Sequence, residues 1–376
     1  MDAAQKESYS PGLEGVVAGE TAISTLADGL SYRGYGIEDL TANSNYEEVA
    51  YLILYGELPT ASQAKPFHAR LMEAMQLPGE LIDTLRRLPP HTNTMDVLRS
   101  GASLLAHWEP EVDDNSRDAN LRKAERLLAK LPVVMAARER IEQGREPVGS
   151  DPALSFAANV LWMLRGEKPS QRHTHAMDVS LILYAEHEFN ASAFAARCIC
   201  STLSDLHSAI TGAIGTLKGS LHGGANERAL EVLLSVGSAA NARKWIDDAL
   251  ARKERIMGFG HRVYKTGDPR AKYLKTLTAE LAKETGNEDL EETGNIIEQV
   301  VMEQKQLPAN VDWPCARLYH YLSLPIRLFT PLFVVARTVG WSAHVIEQLD
   351  NNRLMRPRSL YVGPASRRWR PLAERG

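Results

Sequence analysis

Apolar residues recur along most of this chain at helical spacing. Ala157, Val160, Leu161 and Leu164 fall at i, i+3, i+4 and i+7, the stripe by which a helix buries one face. Asp151-Pro152 is the expected start of that helix and Gly166 its expected stop. Ser44 with Glu47 three residues on reads as a capping box ahead of the apolar run 49–55, which ends at Gly56. Thr330-Pro331 is expected to open another helix, running through Arg337 to Gly340, and the period of 296–301 is also helical. Strand-like alternation occurs only around 15–24 and 30–35, and both stretches are short. The pattern predicts a mainly α fold with at most a small N-terminal sheet. Two charged stretches, 109–126 and 283–292, read as solvated helix faces and loops.

Length modifies this picture. At 376 residues the chain exceeds the usual size of one hydrophobic core, so two domains are expected. The glycine-rich turns near Gly219 and the proline-flanked stretch 314–325 are candidate hinges. A net charge of −4 leaves no global basic surface to recruit nucleic acid, although arginines can still cluster in a cleft. Cys198, Cys200 and Cys315 do not suggest a disulfide framework and point to a reducing compartment. The first 24 residues lack the basic stretch and apolar core of a signal peptide, and no run reaches the ~18 apolar residues of a membrane span. A cytoplasmic protein without membrane contact is expected.

The candidate chemistry sits among glycines. His222 lies in Leu221-His222-Gly223-Gly224-Ala225-Asn226, and His261 in Gly258-Phe259-Gly260-His261-Arg262. Glycine lets the backbone approach a ligand closely, and histidine exchanges protons near neutral pH. By itself, His222 reads equally well as a turn histidine or as a neutral imidazole offering an N–H to an oxygen that gains charge. The stretch around His261, continuing to Gly267-Asp268-Pro269-Arg270, suits phosphate or carboxylate binding, or is an ordinary basic loop. Asp312 stands between Val311 and Trp313, whose apolar side chains can desolvate it and raise its basicity. Arg337 follows an apolar run and calls for an anionic partner, while Arg356 and Arg358 flank Pro357. His187 in Ala185-Glu186-His187-Glu188 is no zinc motif, because position 191 is Ala, so hydrogen bonding is its expected role and no metal is expected. Neither glycine group has the spacing of a nucleotide-binding loop. Two histidines and a carboxylate on separate segments make an acid–base constellation, and an enzyme is expected.

Together, Tyr32-Arg33-Gly34-Tyr35, Gly56-Glu57-Leu58-Pro59, Glu186-His187-Glu188-Phe189-Asn190-Ala191-Ser192, the segments around His222, His261 and Asp312, Phe329-Thr330-Pro331-Leu332-Phe333 and Arg356-Pro357-Arg358 resemble the citrate synthase family. The likeness runs almost end to end and is to the shorter bacterial form, which includes 2-methylcitrate synthases. It implies a large helical domain from residues 1–218 and 324–376 and a small one from 219–323. Asp312 then removes the α-proton of an acyl-CoA, His222 hydrogen-bonds the thioester carbonyl, and His261 protonates the keto oxygen of oxaloacetate. His187, Arg270 and Arg337 hold the oxaloacetate carboxylates, with Arg356 reaching in from the partner of a homodimer. The resemblance also implies that Ile256, Met257, Gly258, Phe259 and Gly260 line the adenine end of coenzyme A, with Arg262 and Lys265 near its phosphates. Arg70 is placed near substrate by spacing after Gly56-Glu57-Leu58-Pro59. No metal or redox cofactor is implied, and coenzyme A enters as part of the substrate. A non-catalytic relative that binds CoA esters would be expected to have lost Asp312 or a histidine; all three are kept. Acetyl-CoA is the expected acyl donor, with propionyl-CoA as the alternative. Trp313-Pro314-Cys315-Ala316 departs from the commoner family pattern and is expected to alter the wall beside Asp312.

Overall fold

The computed structural model describes residues 10–27, 29–261, 264 and 267–375. A three-stranded antiparallel sheet of β1 (Ser24–Thr25), β2 (Ser31–Tyr32) and β3 (Tyr35–Gly36) begins the fold, with Ser24 opposite Tyr32. Helices make up most of the rest. The first eight are α1 (Ile37–Asn43), α2 (Tyr46–Tyr55), α3 (Ala61–Ala74), α4 (Gly79–Arg87), α5 (Thr94–Leu105), α6 (Arg117–Glu142), α7 (Phe156–Arg165) and α8 (Gln171–Tyr184). Then come α9 (Ala191–Cys200), α10 (Leu206–Leu217), α11 (Ala225–Val236), α12 (Ala239–Ala251), α13 (Pro269–Thr285) and α14 (Glu288–Lys305). The last two are α15 (Asp312–Tyr321) and α16 (Phe329–Asp350). The expected mainly helical fold with a minimal sheet is what forms. No helix among the described residues is long and apolar enough to cross a membrane.

α16 is the spine. It packs on α2, α6, α8, α9 and α10, and is buried along most of its length. The helices α11 to α15 pack chiefly on one another. The tail after α16, residues 351–375, has little regular structure beyond a 3-10 turn at Leu372–Glu374 and is largely exposed.

Several local expectations shift. The cap of α2 is Asn45, whose side chain accepts from the Glu48 N–H, and not Ser44. Glu47 instead accepts from the Phe156 N–H at 2.6 Å and meets His68, tying α2 to α7 and α3. α7 begins after its cap Ser155, because Asp151 turns back to accept from the Ala153 N–H before the helix starts. Gly166 does end it, in a left-handed conformation. Gly340 does not end α16. A Cβ there would lie 2.3 Å from Glu186 Oε2, so this glycine serves close packing of α16 against the residues after α8.

The 109–126 stretch is not solvated throughout. Glu109, Lys123 and Glu125 are buried: Arg126 pairs with Glu109 and Glu111, and Lys123 donates to the carbonyls of Val112 and Asp114. Charge density there marks a knot between α6 and the preceding loop, which periodicity does not distinguish from a wet surface.

Candidate active site

His187, His222, His261, Arg270, Asp312 and Arg337 line one cleft of about 1210 Å³. Each comes from a different segment.

His261 and Asp312 are tied together by backbone. Gly260 N–H donates to Pro308 O at 2.8 Å, Asn310 N–H to Gly258 O at 2.9 Å, and Phe259 pairs antiparallel with Ala309. The Asn310 side chain extends this seam: its amide donates to Gly260 O at 3.0 Å, while its oxygen accepts from the Asp312 N–H at 3.0 Å. Gly258, at φ 91°, is required twice over, since its backbone is left-handed and a Cβ would press on Trp313 at 3.0 Å.

Asp312 opens α15, where the helix N-terminus favours the anion. Tyr184, the last residue of α8, donates its phenol to Asp312 Oδ1 at 2.7 Å. Burial raises the Asp312 pKa above the usual carboxylate range, opposed by this hydrogen bond and by Arg270 and Arg337. The apolar neighbours of Asp312 were the sequence sign of that shift.

His222 stands in the turn between α10 and α11, closed by N–H groups of His222 and Gly223 donating to Gly219 O at 2.9 and 3.0 Å. At the start of α9, the Ser192 N–H donates to His222 Nε2 at 3.2 Å, with Ser192 Oγ 2.8 Å from the same nitrogen. A backbone N–H can only donate, so Nε2 is the bare nitrogen and Nδ1 carries the proton. Burial, helped by Arg337, lowers this imidazole to about 4, which keeps it neutral. His261 Nδ1 accepts from the Tyr264 N–H at 3.2 Å, leaving Nε2–H as the donor of the neutral ring.

The anion seat is built from buried cations. Arg270 lies in the first turn of α13, its Nε and Nη2 forked onto Asp268 at 2.9 and 2.8 Å. Asp268 also accepts from the Val311 N–H at 3.0 Å and so joins α13 to the Asp312 segment. Arg337, on α16, is 1% exposed, donates Nε–H to Tyr184 O at 2.7 Å and lies 4.4 Å from the Phe333 ring. Burial lowers its pKa to about 10. Among the described residues no carboxylate forms an ion pair with it. Glu186 acts on it only through its charge, and a buried guanidinium without a directly paired carboxylate is a seat for an anion. His187 meets Tyr264 Oη at 3.2 Å and sits edge-on to His261 at 5.2 Å between centroids. Its pKa is well below normal through burial, with Arg270, Arg337 and His261 adding to the shift.

Ile256, Met257, Gly258, Phe259 and Gly260 line the cleft. Arg262 and Lys265 lie outside the described residues. Arg70 does not line it. Its guanidinium is forked onto Glu125 at 2.7 and 2.8 Å, tying α3 to α6. Arg356 is exposed on the tail and is not part of this chain's cleft. Trp313 is no wall either. It is fully buried behind the seam, its ring tilted against Phe259 at 4.7 Å between centroids and its indole N–H donating to Gly294 O at 3.3 Å.

Sequence reasoning passed over Tyr184, Ser192, Asp268 and Tyr264 as individual residues. Asp268 had a visible signature, an Asp–Pro pair opening a helix. The N-terminal stretch 12–19 also lines the cleft.

The match to the citrate synthase, C-terminal domain, family model covers residues 12–358. This chain belongs to the citrate synthase family. Among its relatives, a 2-methylcitrate synthase of Shewanella oneidensis is 45% identical, covering 98% of this chain and 99% of that protein. Citrate synthase 2 of Bacillus subtilis is also 45% identical, covering 97% and 98%. In structure, the citrate synthase fold is shared with the Thermoplasma acidophilum citrate synthase complex containing carboxymethyl coenzyme A and oxaloacetate. The TM-score is 0.92 at 33% identity, covering 98% of this chain and all of that one.

Proposed function

We propose that this protein condenses an acyl-CoA with oxaloacetate and water, releasing coenzyme A. Acetyl-CoA gives citrate and propionyl-CoA gives 2-methylcitrate. Relatives of equal identity carry the two names, which supports both substrates, and we take acetyl-CoA as the principal one. Membership of this family makes the chain an acyltransferase.

The observation that carries the reading is an Asp312 carboxylate of raised basicity in the same cleft as a neutral His222 and a buried Arg337 that forms no ion pair among the described residues. A thioester α-proton is far too weakly acidic for a carboxylate in water. Its removal needs a desolvated base and a donor aimed at the developing oxyanion, and each such donor is worth about 3–4 kcal/mol. Asp312 takes the proton while His222 Nδ1–H holds the thioester oxygen. The new carbon nucleophile attacks the keto carbon of oxaloacetate, and His261 Nε2–H delivers its proton to the keto oxygen. Water then cleaves the thioester, leaving the acid and free thiol. Arg337, Arg270 and His187 hold the carboxylates. Asp268 occupies Nε–H and one N–H of Nη2 of Arg270, so Nη1 and the second N–H of Nη2 are left for substrate. The chemistry has no net redox change and calls for no redox cofactor.

The segment 256–260 forms the coenzyme A wall. Exposure of Arg356 on a long tail supports its delivery to the neighbouring site of a homodimer. Closure of 219–323 over the substrates excludes water. We assign the protein to the cytoplasm.

Thiol release with oxaloacetate tests the reading, comparing kcat/KM for acetyl-CoA and propionyl-CoA. Release with neither refutes it.

A further inference from the structure

The backbone around His187 is held in an uncommon shape. Glu188, the next residue, has φ 52°, in the left-handed region that costs a side chain energy unless the surroundings impose it. Ser24 of β1 supplies the constraint. Its Oγ accepts from the Glu188 N–H at 2.9 Å and donates to Glu186 Oε1 at 3.2 Å, so one hydroxyl grips the chain on both flanks of His187. Tyr32 of β2, facing Ser24 across the sheet, donates its phenol to Glu186 O at 3.1 Å and Ile182 O at 2.9 Å.

The Glu186 side chain is completely buried. Its Oε1 also meets Nε2 of His344, an equally buried residue on α16, at 2.8 Å. Arg197 Nε–H donates to His344 Nδ1 at 3.0 Å. Since guanidinium only donates, Nδ1 accepts and Nε2–H is the proton aimed at Glu186. Arg197 is fixed in turn by Gln348 and by an ion pair with Glu347. Among the described residues Glu186 Oε2 has no hydrogen-bond partner, and it faces Gly340, where no Cβ intervenes. A buried carboxylate with one orphan oxygen is a costly feature, and it immediately precedes the histidine that lines the cleft.

We propose that Ser24, Glu186 and His344 are positioning residues that clamp the 186–188 backbone and thereby aim His187 at the oxaloacetate carboxylates. This rests on the reading of His187 as an oxaloacetate ligand. None of the three lines the cleft themselves, so their effect on turnover passes through His187. The small N-terminal sheet is then a brace for the substrate seat.

The test separates aim from folding. Ser24→Ala and His344→Leu are compared with His344→Gln, which can still accept from Arg197 and donate to Glu186. KM for oxaloacetate and its Kd by titration calorimetry are measured beside Tm and the KM for acyl-CoA at saturating oxaloacetate. Ser24→Ala and His344→Leu are expected to weaken oxaloacetate on the order of tenfold, with acyl-CoA KM changed less than about twofold. His344→Gln should stay within about threefold of the unsubstituted protein. A folded Ser24→Ala with lowered Tm but unchanged oxaloacetate Kd overturns the proposal, as does a His344→Gln loss as large as that of His344→Leu. If His344→Leu does not fold, Ser24→Ala and His344→Gln decide. His187→Ala must itself weaken oxaloacetate; if it does not, the reading of the seat fails, a result distinct from failure of the clamp alone.

Discussion

Tyr184→Phe is the sharpest probe of the base. The phenol donates to Asp312 Oδ1 at 2.7 Å, and this bond favours the ionised carboxylate against the burial that raises its pKa. A hydrogen bond to a charged group contributes about 1.5–3 kcal/mol, and each pKa unit corresponds to about 1.4 kcal/mol. Removing the hydroxyl should therefore raise the Asp312 pKa further, by about 1–2 units. The ring stays, fully buried against Phe333 at 4.2 Å, and the Tyr184 carbonyl still accepts from Arg337. The sign is fixed: the base must be ionised, so the acid limb of kcat/KM moves to higher pH. His222 at about 4 and His187 well below normal are neutral through the window and do not mask it. Thiol release, followed from about pH 5 to 9 with a reagent that reacts below neutrality, gives the profile. An acid limb that stays in place, or moves to lower pH, in a folded Tyr184→Phe protein would refute the role given to Asp312.

Two further outcomes follow from placement. Arg70→Ala should leave both KM values unchanged while lowering stability by about 1–2 kcal/mol in denaturant titration, because Glu125 loses its fork but Arg70 is itself half exposed; a raised oxaloacetate KM would return Arg70 to the site. Arg356→Ala and Asp312→Ala, each inactive alone, should recover activity when their subunits are exchanged into hybrids, and no recovery after verified exchange would dismiss a shared site.

The fold class was legible because α7 and α14 repeat apolar residues at helical spacing, whatever their tertiary setting. Their ends were less so. Ser44 and Asp151 are good caps in isolation, but a tertiary hydrogen bond drew Glu47 to α7, and a local one from the Ala153 N–H keeps Asp151 in the turn before the helix. His222, His261 and Asp312 were conspicuous because glycines and apolar neighbours surround them. Tyr184 was not, since a tyrosine closing an apolar helix looks like any other core residue; only the arrival of Asp312 from 128 positions away gives it a function. Arg70 is a converse case, for nothing local reveals that Glu125 on α6 pairs with it.

The seam between 258–260 and 308–310 makes the proton acceptor and the second imidazole passengers on a single carrier. His222 is moored to α9 through Ser192, and Asp312 to α8 through Tyr184. If the closure proposed for 219–323 is reversed, both moorings break together and the reacting trio loses its alignment in one stroke. An activated thioester would then be guarded from idle loss by mechanical layout.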